Sequence, residues 1–365
     1  MDGLRGVLAL SVFIHHARCI RTLCLKGQWS TEGDDIFAQA AIYAVTLFFF
    51  ITGFIFWTKL QHNPRPPMGK HLSSRVARLV PAYWASLVVI LAYIAVNFDW
   101  THWDYGLPLL KNIVSWLLFT LPGLDAEFRG PGISRIHFFT VWTLKMEWLF
   151  YLLIPFCGWF ALRVWRTGMF IAVFIILRLW AINGLADLPI TEGNREGANT
   201  ATMVFACLFS GGIAVAAVRP WIRARFHGTD FRGFGFSLLG VGLVLAMFFC
   251  TTPKYGFIES AWLIGPFLLI TLGNDWFGIL TSKPMLFLGR ISYSIYLIHG
   301  ILLFLFFHYL VSFYSIGDIP LMVFYLIIAV FGGIVIAISA LSYRLFEAPF
   351  MKSLRATENI KEREK

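Results

Sequence analysis

Apolar runs long enough to cross a membrane recur from one end of this chain to the other, and nothing else constrains its fold as strongly. Windows of about 20 apolar residues, enough to cross ~30 Å of hydrocarbon as a helix, fall near 3–20, 36–58, 79–98, 138–162, 168–185, 200–218, 234–250, 258–273, 287–311 and 319–342. In lipid the backbone must satisfy its own N–H and C=O groups, so each run is expected to be helical. The fold class that follows is all-α: a polytopic integral membrane bundle of about ten transmembrane helices. Only 14% of the 365 residues are charged, against about 25% in soluble domains. The stretch 105–121 is too interrupted for a span and suits an interfacial or re-entrant piece. The first run has no basic segment before it and no small-residue cleavage site after it, so it is not expected to be a cleaved signal.

The formal charge of +10 does not point to nucleic acid, because its distribution explains it. With the N-terminus placed in the cytoplasm, twenty of the 30 Lys and Arg residues fall on inner segments and eight on outer ones. That bias puts both termini inside, in a plasma membrane and most simply a bacterial inner membrane. Residues 1–345 read as one membrane domain and 346–365 as a short charged cytoplasmic tail. The long outer loop 99–137, with its Pro, Gly and acidic residues, could form part of an acceptor site. Cys19, Cys24, Cys157, Cys207 and Cys250 lack metal-ligand spacing, and packing is their expected role. A Cys19–Cys24 pair is the alternative if both face an oxidising compartment.

Charges inside lipid are expensive and mark function or helix pairing. Arg5 and His16 are eleven residues apart, about 20° beyond three helical turns, so they share a stripe roughly 16 Å apart along the axis. His15 points about 100° away. Glu147 lies about 13 Å into the fourth span, near the bilayer middle, where His16 arrives from the other side. Shared depth makes His16 and Glu147 expected neighbours. Thr143, four residues earlier, shares the Glu147 face. The structural alternative is that Glu147 serves as helix glue with Lys145, Arg178 or His299.

Arg75 and Arg78 stand at i and i+3 at the expected cytoplasmic mouth of the third span, level with Arg5. Three guanidiniums on one rim suit a polyanion such as the phosphates of a nucleotide; the alternative is ordinary anchoring to anionic lipid. His299 is also near mid-depth of its span, as apt for packing as for catalysis. No metal is expected, since neither His16 nor His299 has a local carboxylate or thiolate at ligand spacing. There is no Gly-rich phosphate loop and no nucleophile elbow.

Five segments in order carry a resemblance. They are Asp2-Gly3-Leu4-Arg5 with His16, Phe48 to Phe54, Arg75 and Arg78 followed by Pro81-Ala82-Tyr83-Trp84, Trp142 to Tyr151 containing Thr143 and Glu147, and Ser292 to His299. Together they resemble the acyltransferase-3 family of integral membrane O-acyltransferases, many of which modify bacterial surface glycans. The match covers a basic residue, ten intervening residues and a histidine; an FF-x-x-S-G-F element with Thr52 for Ser; R-x-x-R; W-[ST]-L-x-x-E-x-x-F-Y; and S-Y-x-x-Y-L-x-H.

The resemblance implies an acyl-CoA donor, acetyl-CoA above all, on the cytoplasmic side. It implies a hydroxyl acceptor on a glycan or lipid-linked saccharide, as in lipopolysaccharide or other envelope polysaccharides. His16 and Glu147 would be catalytic, and Arg5, Arg75 and Arg78 would bind the donor. Asp2, Thr143, Tyr151 and His299 would support the site. His16 could act as general base on the acceptor hydroxyl or carry the acyl group itself. No SGNH hydrolase-like domain follows in these residues, which leaves room for a separate extracytoplasmic transferase partner. The competing class is a proton-coupled transporter or flippase of a lipid-linked sugar, whose inverted repeats and broken helix pairs are not found here.

Overall fold

The structure is a computed structural model that describes residues 1–27, 36–97, 106–120, 133–184, 200, 202–252, 255–313 and 319–354. The described residues are helical, with no strand among them. In order the main helices are α1 (Asp2–Lys26), α2 (Ile36–His62), α3 (Met68–Asn97), α4 (Gly106–Leu117), α5 (Ile133–Leu153), α6 (Val164–Gly184) and α7 (Ser210–Arg225). They are followed by α8 (Phe234–Cys250), α9 (Phe257–Leu272), α10 (Lys283–Arg290), α11 (Ser292–Phe313) and α12 (Leu321–Ser342). Six helical stretches among the described residues are long and apolar enough to cross a membrane, and Phe234–Cys250 and Phe257–Leu272 are shorter apolar helices. The protein is an all-α, multi-pass membrane protein.

Several expected spans are subdivided, each for a local reason. The run 138–162 stops at Leu153, where Pro155 enters a 3₁₀ turn over Ile154–Phe156; proline has no N–H to continue the ladder. The run 287–311 divides into α10 and α11 around Ile291. The run 200–218 begins with a π-helical segment, Val204–Phe209, before α7. Inside 105–121, α4 has 12 residues, about 18 Å long and too short to cross. The rest of the loop expected to hold an acceptor site lies largely outside the described residues, as does most of the charged tail. The helix after α12 continues through a π-turn at Tyr343–Glu347 to Leu354, past the expected boundary at 345.

The described chain packs as two compact units, one of Met1–Val12, Glu32–Pro66 and Leu153–Arg290, the other of Phe13–Thr31, Pro67–Leu152 and Ile291–Lys365. In the first unit, α2 lies directly on α7 because neither helix has a side chain at the point of contact. A Cβ on Gly212 would sit 2.1 Å from the carbonyl oxygen of Phe50, and one on Gly53 2.6 Å from that of Phe209. Small residues at the crossing let backbones approach and gain dispersion contacts, the main source of helix affinity in lipid. Below them Trp57 is fully buried and its indole N–H donates to Thr167 Oγ1 at 3.2 Å. The same device explains Gly3: a Cβ there would meet the carbonyl oxygen of Leu280 at 2.0 Å.

The second unit holds α3, α4, α5, α11, α12 and the later part of α1. Leu87, Ile90, Trp116 and Ile301 form a core cluster, and the buried hydroxyl of Tyr83 donates to the carbonyl oxygen of Trp116 at 2.7 Å. Tyr93 packs edge-on against Phe304. On α1, Phe13 packs against Phe331 and Gly332 of α12, and Arg18 donates to the Tyr325 hydroxyl at 2.6 Å. These contacts fix the rotation of α1, and with it where its histidines point.

Candidate active site

His16 lies on the middle of α1 in the second unit. Its Nδ1 is 2.8 Å from Nε2 of His299 on α11, with the rings nearly parallel and their centroids 5.0 Å apart. His299 is completely enclosed, whereas His16 keeps part of its surface accessible. The Nδ1 of His299 faces the carbonyl oxygen of Ile295 at 2.9 Å. His15 faces elsewhere, its Nε2 being 3.5 Å from the sulfur of Cys19. All five cysteines are free thiols, Cys19 buried and Cys24 exposed. Five residues apart on one helix, these two are about 140° apart around the axis and cannot bridge.

Glu147 and Tyr151 occupy successive turns of α5. The Tyr151 hydroxyl donates to Glu147 Oε2 at 3.0 Å, while the Arg75 guanidinium lies over the Tyr151 ring, 5.7 Å from its centroid. Arg75 and Arg78 are both close enough to act electrostatically on Tyr151. His71, one turn before Arg75, donates from Nε2 to the backbone carbonyl of Tyr151 at 3.0 Å. The R-x-x-R turn of α3 is thereby tied to the Glu147 turn of α5. One turn before Glu147, Thr143 Oγ1 and the Tyr296 hydroxyl share a hydrogen bond of 2.5 Å. The Tyr296 ring in turn stands 6.0 Å from that of His299. Two hydrogen-bonded pairs, His16–His299 and Thr143–Tyr296, are thus joined through the Tyr296–His299 ring contact across three helices.

Arg5 and Asp2 belong to the first unit, where they form an ion pair at 3.2 Å with Asp2 largely exposed. An exposed pair of this kind contributes well under ~1 kcal/mol. The backbone at Asp2 is more constrained than its carboxylate: a Cβ on Gly289 would fall 1.8 Å from the Asp2 carbonyl oxygen. The Asp-Gly-Leu-Arg box thus has a packing role at Gly3 and at the Asp2 backbone.

Two buried carboxylates were not singled out from the sequence. Glu347, expected in the solvated tail, is 1% exposed and accepts a short hydrogen bond from the Ser294 hydroxyl. Arg78 is close enough to act on it. Glu259, at the start of α9, is 4% exposed. Glu347 sits five residues past the last long apolar run, so hydropathy classed it as solvated. The available signal was its position about one helical turn beyond Tyr343 on the same continuing helix. Among the described residues no group of three or more His, Cys, Asp or Glu could hold a metal ion.

Three of the segments that carry the resemblance, those around Arg75, Glu147 and His299, lie in the second unit with His16. A family model described as "Acyltransferase domain" matches residues 1–338. The chain belongs to the acyltransferase-3 family. This acyltransferase domain is 22% identical over 391 aligned positions to the O-acetyltransferase OatA of Staphylococcus aureus (strain NCTC 8325 / PS 47), covering 96% of this chain and 57% of the relative. The same figures hold for OatA of strains COL and MRSA252. The chain therefore spans a little over half the length of these curated relatives. No solved structure matches it.

Proposed function

We propose that this acyltransferase-3 family member is a membrane O-acetyltransferase. It moves an acetyl group from acyl-CoA on the cytoplasmic side of a bacterial inner membrane to a hydroxyl of a glycan or lipid-linked saccharide. Acetyl as the transferred group is suggested by the names of the relatives. The observation that carries the reading is the pairing of His16 with His299 across 283 residues of sequence, which brings a partly buried histidine beside the Tyr296–Thr143 pair on the Glu147 helix.

In this reading His16 is the general base or the acyl carrier. Glu147, held by Tyr151, supports it, and Arg75 and Arg78 take donor phosphates as bidentate cations suited to them. Arg5, matched by the family's basic residue ahead of the histidine, is a further candidate for donor phosphates. Thr143, Tyr296 and Asp2 are supporting residues. Both termini face the cytoplasm, as the charge bias requires. Where the acceptor lies beyond this chain's reach, a separate extracytoplasmic transferase completes delivery.

The test is incubation of the full chain, purified into nanodiscs, with labelled acetyl-CoA and native membrane glycolipids, followed by mass spectrometry. Labelled glycolipid that disappears in a monodisperse His16→Ala variant supports the reading. Wild-type turnover in that variant overturns it. Movement of unmodified lipid-linked sugar across the bilayer, with no acetylation, would favour the transporter alternative instead.

A further inference from the structure

We infer that His299 is a positioning residue which fixes the tautomer of His16 and makes Nε2 of His16 the reacting atom. The inference rests on His16 being the reacting imidazole, as proposed above, and adds which nitrogen reacts and what holds it.

The hydrogen atoms fall along one line. Nδ1 of His299 is 2.9 Å from the carbonyl oxygen of Ile295, one turn earlier on α11. A carbonyl oxygen can only accept, so Nδ1 of His299 carries the hydrogen. In the neutral ring its Nε2 then holds a lone pair. That lone pair faces Nδ1 of His16 at 2.8 Å. Two acceptors do not face each other at that distance, so Nδ1 of His16 carries a hydrogen and donates it. With both rings neutral, the lone pair of His16 is on Nε2, and His16 is the less buried residue of the two.

The His299 ring is set from three sides. Its own helix carbonyl holds Nδ1, Phe13 meets it edge-on at 90°, and Tyr296, itself bonded to Thr143, packs beside it. A base oriented by a third group is the general pattern for nucleophile and base pairs. Here a second imidazole, itself oriented by a backbone carbonyl, supplies that third group.

Either chemical route then uses the same atom. As a base, Nε2 takes the proton of the acceptor hydroxyl while that oxygen bonds to the thioester carbonyl carbon. The C–S bond breaks, and the leaving thiolate recovers the proton from Nε2, giving free thiol and ester. As a carrier, Nε2 bonds to the carbonyl carbon, the thiolate leaves, and the Nδ1 proton moves to Nε2 of His299. Transfer to the acceptor returns that proton to Nδ1, and the acceptor's own proton goes to the thiolate.

The test is ¹⁵N NMR of histidine-labelled full chain in nanodiscs, with His16 assigned by its loss in His16→Gln, alongside kinetics of His299 variants. The expected wild-type spectrum has His16 protonated on Nδ1 and bare on Nε2. His299→Leu should shift His16 toward the Nε2–H form and lower kcat about 10²-fold or more, with KM for acetyl-CoA unchanged. His299→Gln, whose amide can accept from His16 and donate to Ile295, should recover part of kcat. A wild-type His16 protonated on Nε2 overturns the inference whatever the variants do. So does a folded His299→Leu with wild-type kcat. Neither result touches the assignment of His16 as catalytic, which falls only if His16→Ala retains transfer.

Discussion

Tyr151 donates its hydroxyl hydrogen to Oε2 of Glu147, one turn earlier on the same helix, at 3.0 Å. The ring that carries this hydroxyl also lies under Arg75, so one side chain touches both the proposed catalytic carboxylate and the proposed donor site. Tyr151→Phe separates the two roles, keeping the ring and removing the donor. Leaving a partly buried carboxylate short of a donor costs about 1–3 kcal/mol, so kcat should fall at least about fivefold. KM for acetyl-CoA should stay within about twofold. Steady-state kinetics reads both, and an unchanged kcat removes Tyr151 from the site.

Arg75 should matter to binding more than to chemistry. Removing a charge-assisted contact to phosphate costs about 1.5–3 kcal/mol, so Arg75→Ala should raise KM for acetyl-CoA at least about tenfold. Arg75→Lys keeps the charge but loses the planar fork and should fall between. An unchanged KM in the alanine variant would return Arg75 and Arg78 to lipid anchoring.

The Thr143–Tyr296 hydrogen bond links α5 to α11, and a double-mutant cycle isolates it. Thr143→Val and Tyr296→Phe should each lower thermal stability. The double variant should lose less than their sum, with a coupling of about 0.5–3 kcal/mol. Strict additivity would mean that the two hydroxyls are satisfied independently.

Two glycines make a matched test of helix packing in the first unit. A methyl group at Gly212 would run into the Phe50 carbonyl oxygen at 2.1 Å, whereas nothing lies within 4 Å of one at Gly242. Gly212→Ala should therefore destabilise by about 1–3 kcal/mol through overpacking. Gly242→Ala, in the interior of α8, should be neutral or stabilising by up to ~1 kcal/mol, because glycine is a poor helix former. Thermal unfolding in one detergent ranks the two, and equal shifts would contradict the close α2–α7 approach.

Fold class and the residue types that carry chemistry are legible in the chain alone. Long uncharged runs can only be helices in lipid, and the few ionisable groups inside them stand out because burying them is costly. Depth could also be read, since 1.5 Å per residue turns position along a span into distance. Depth selects a layer of the membrane, however, and several residues share that layer. His16 was matched to Glu147 on depth alone, and His299 satisfied the same criterion. That His16 stands 2.8 Å from His299 depends on how α1 is rotated and what it rests against. That is settled by long-range contacts such as Phe13 on Phe331 and Arg18 on Tyr325. Glu347 was hidden for a related reason: hydropathy scores a residue by its neighbours in sequence, whereas its burial comes from Ser294, 53 positions away. Period and polarity are local and therefore legible; partner choice is a property of packed surfaces and emerges only once the helices come together.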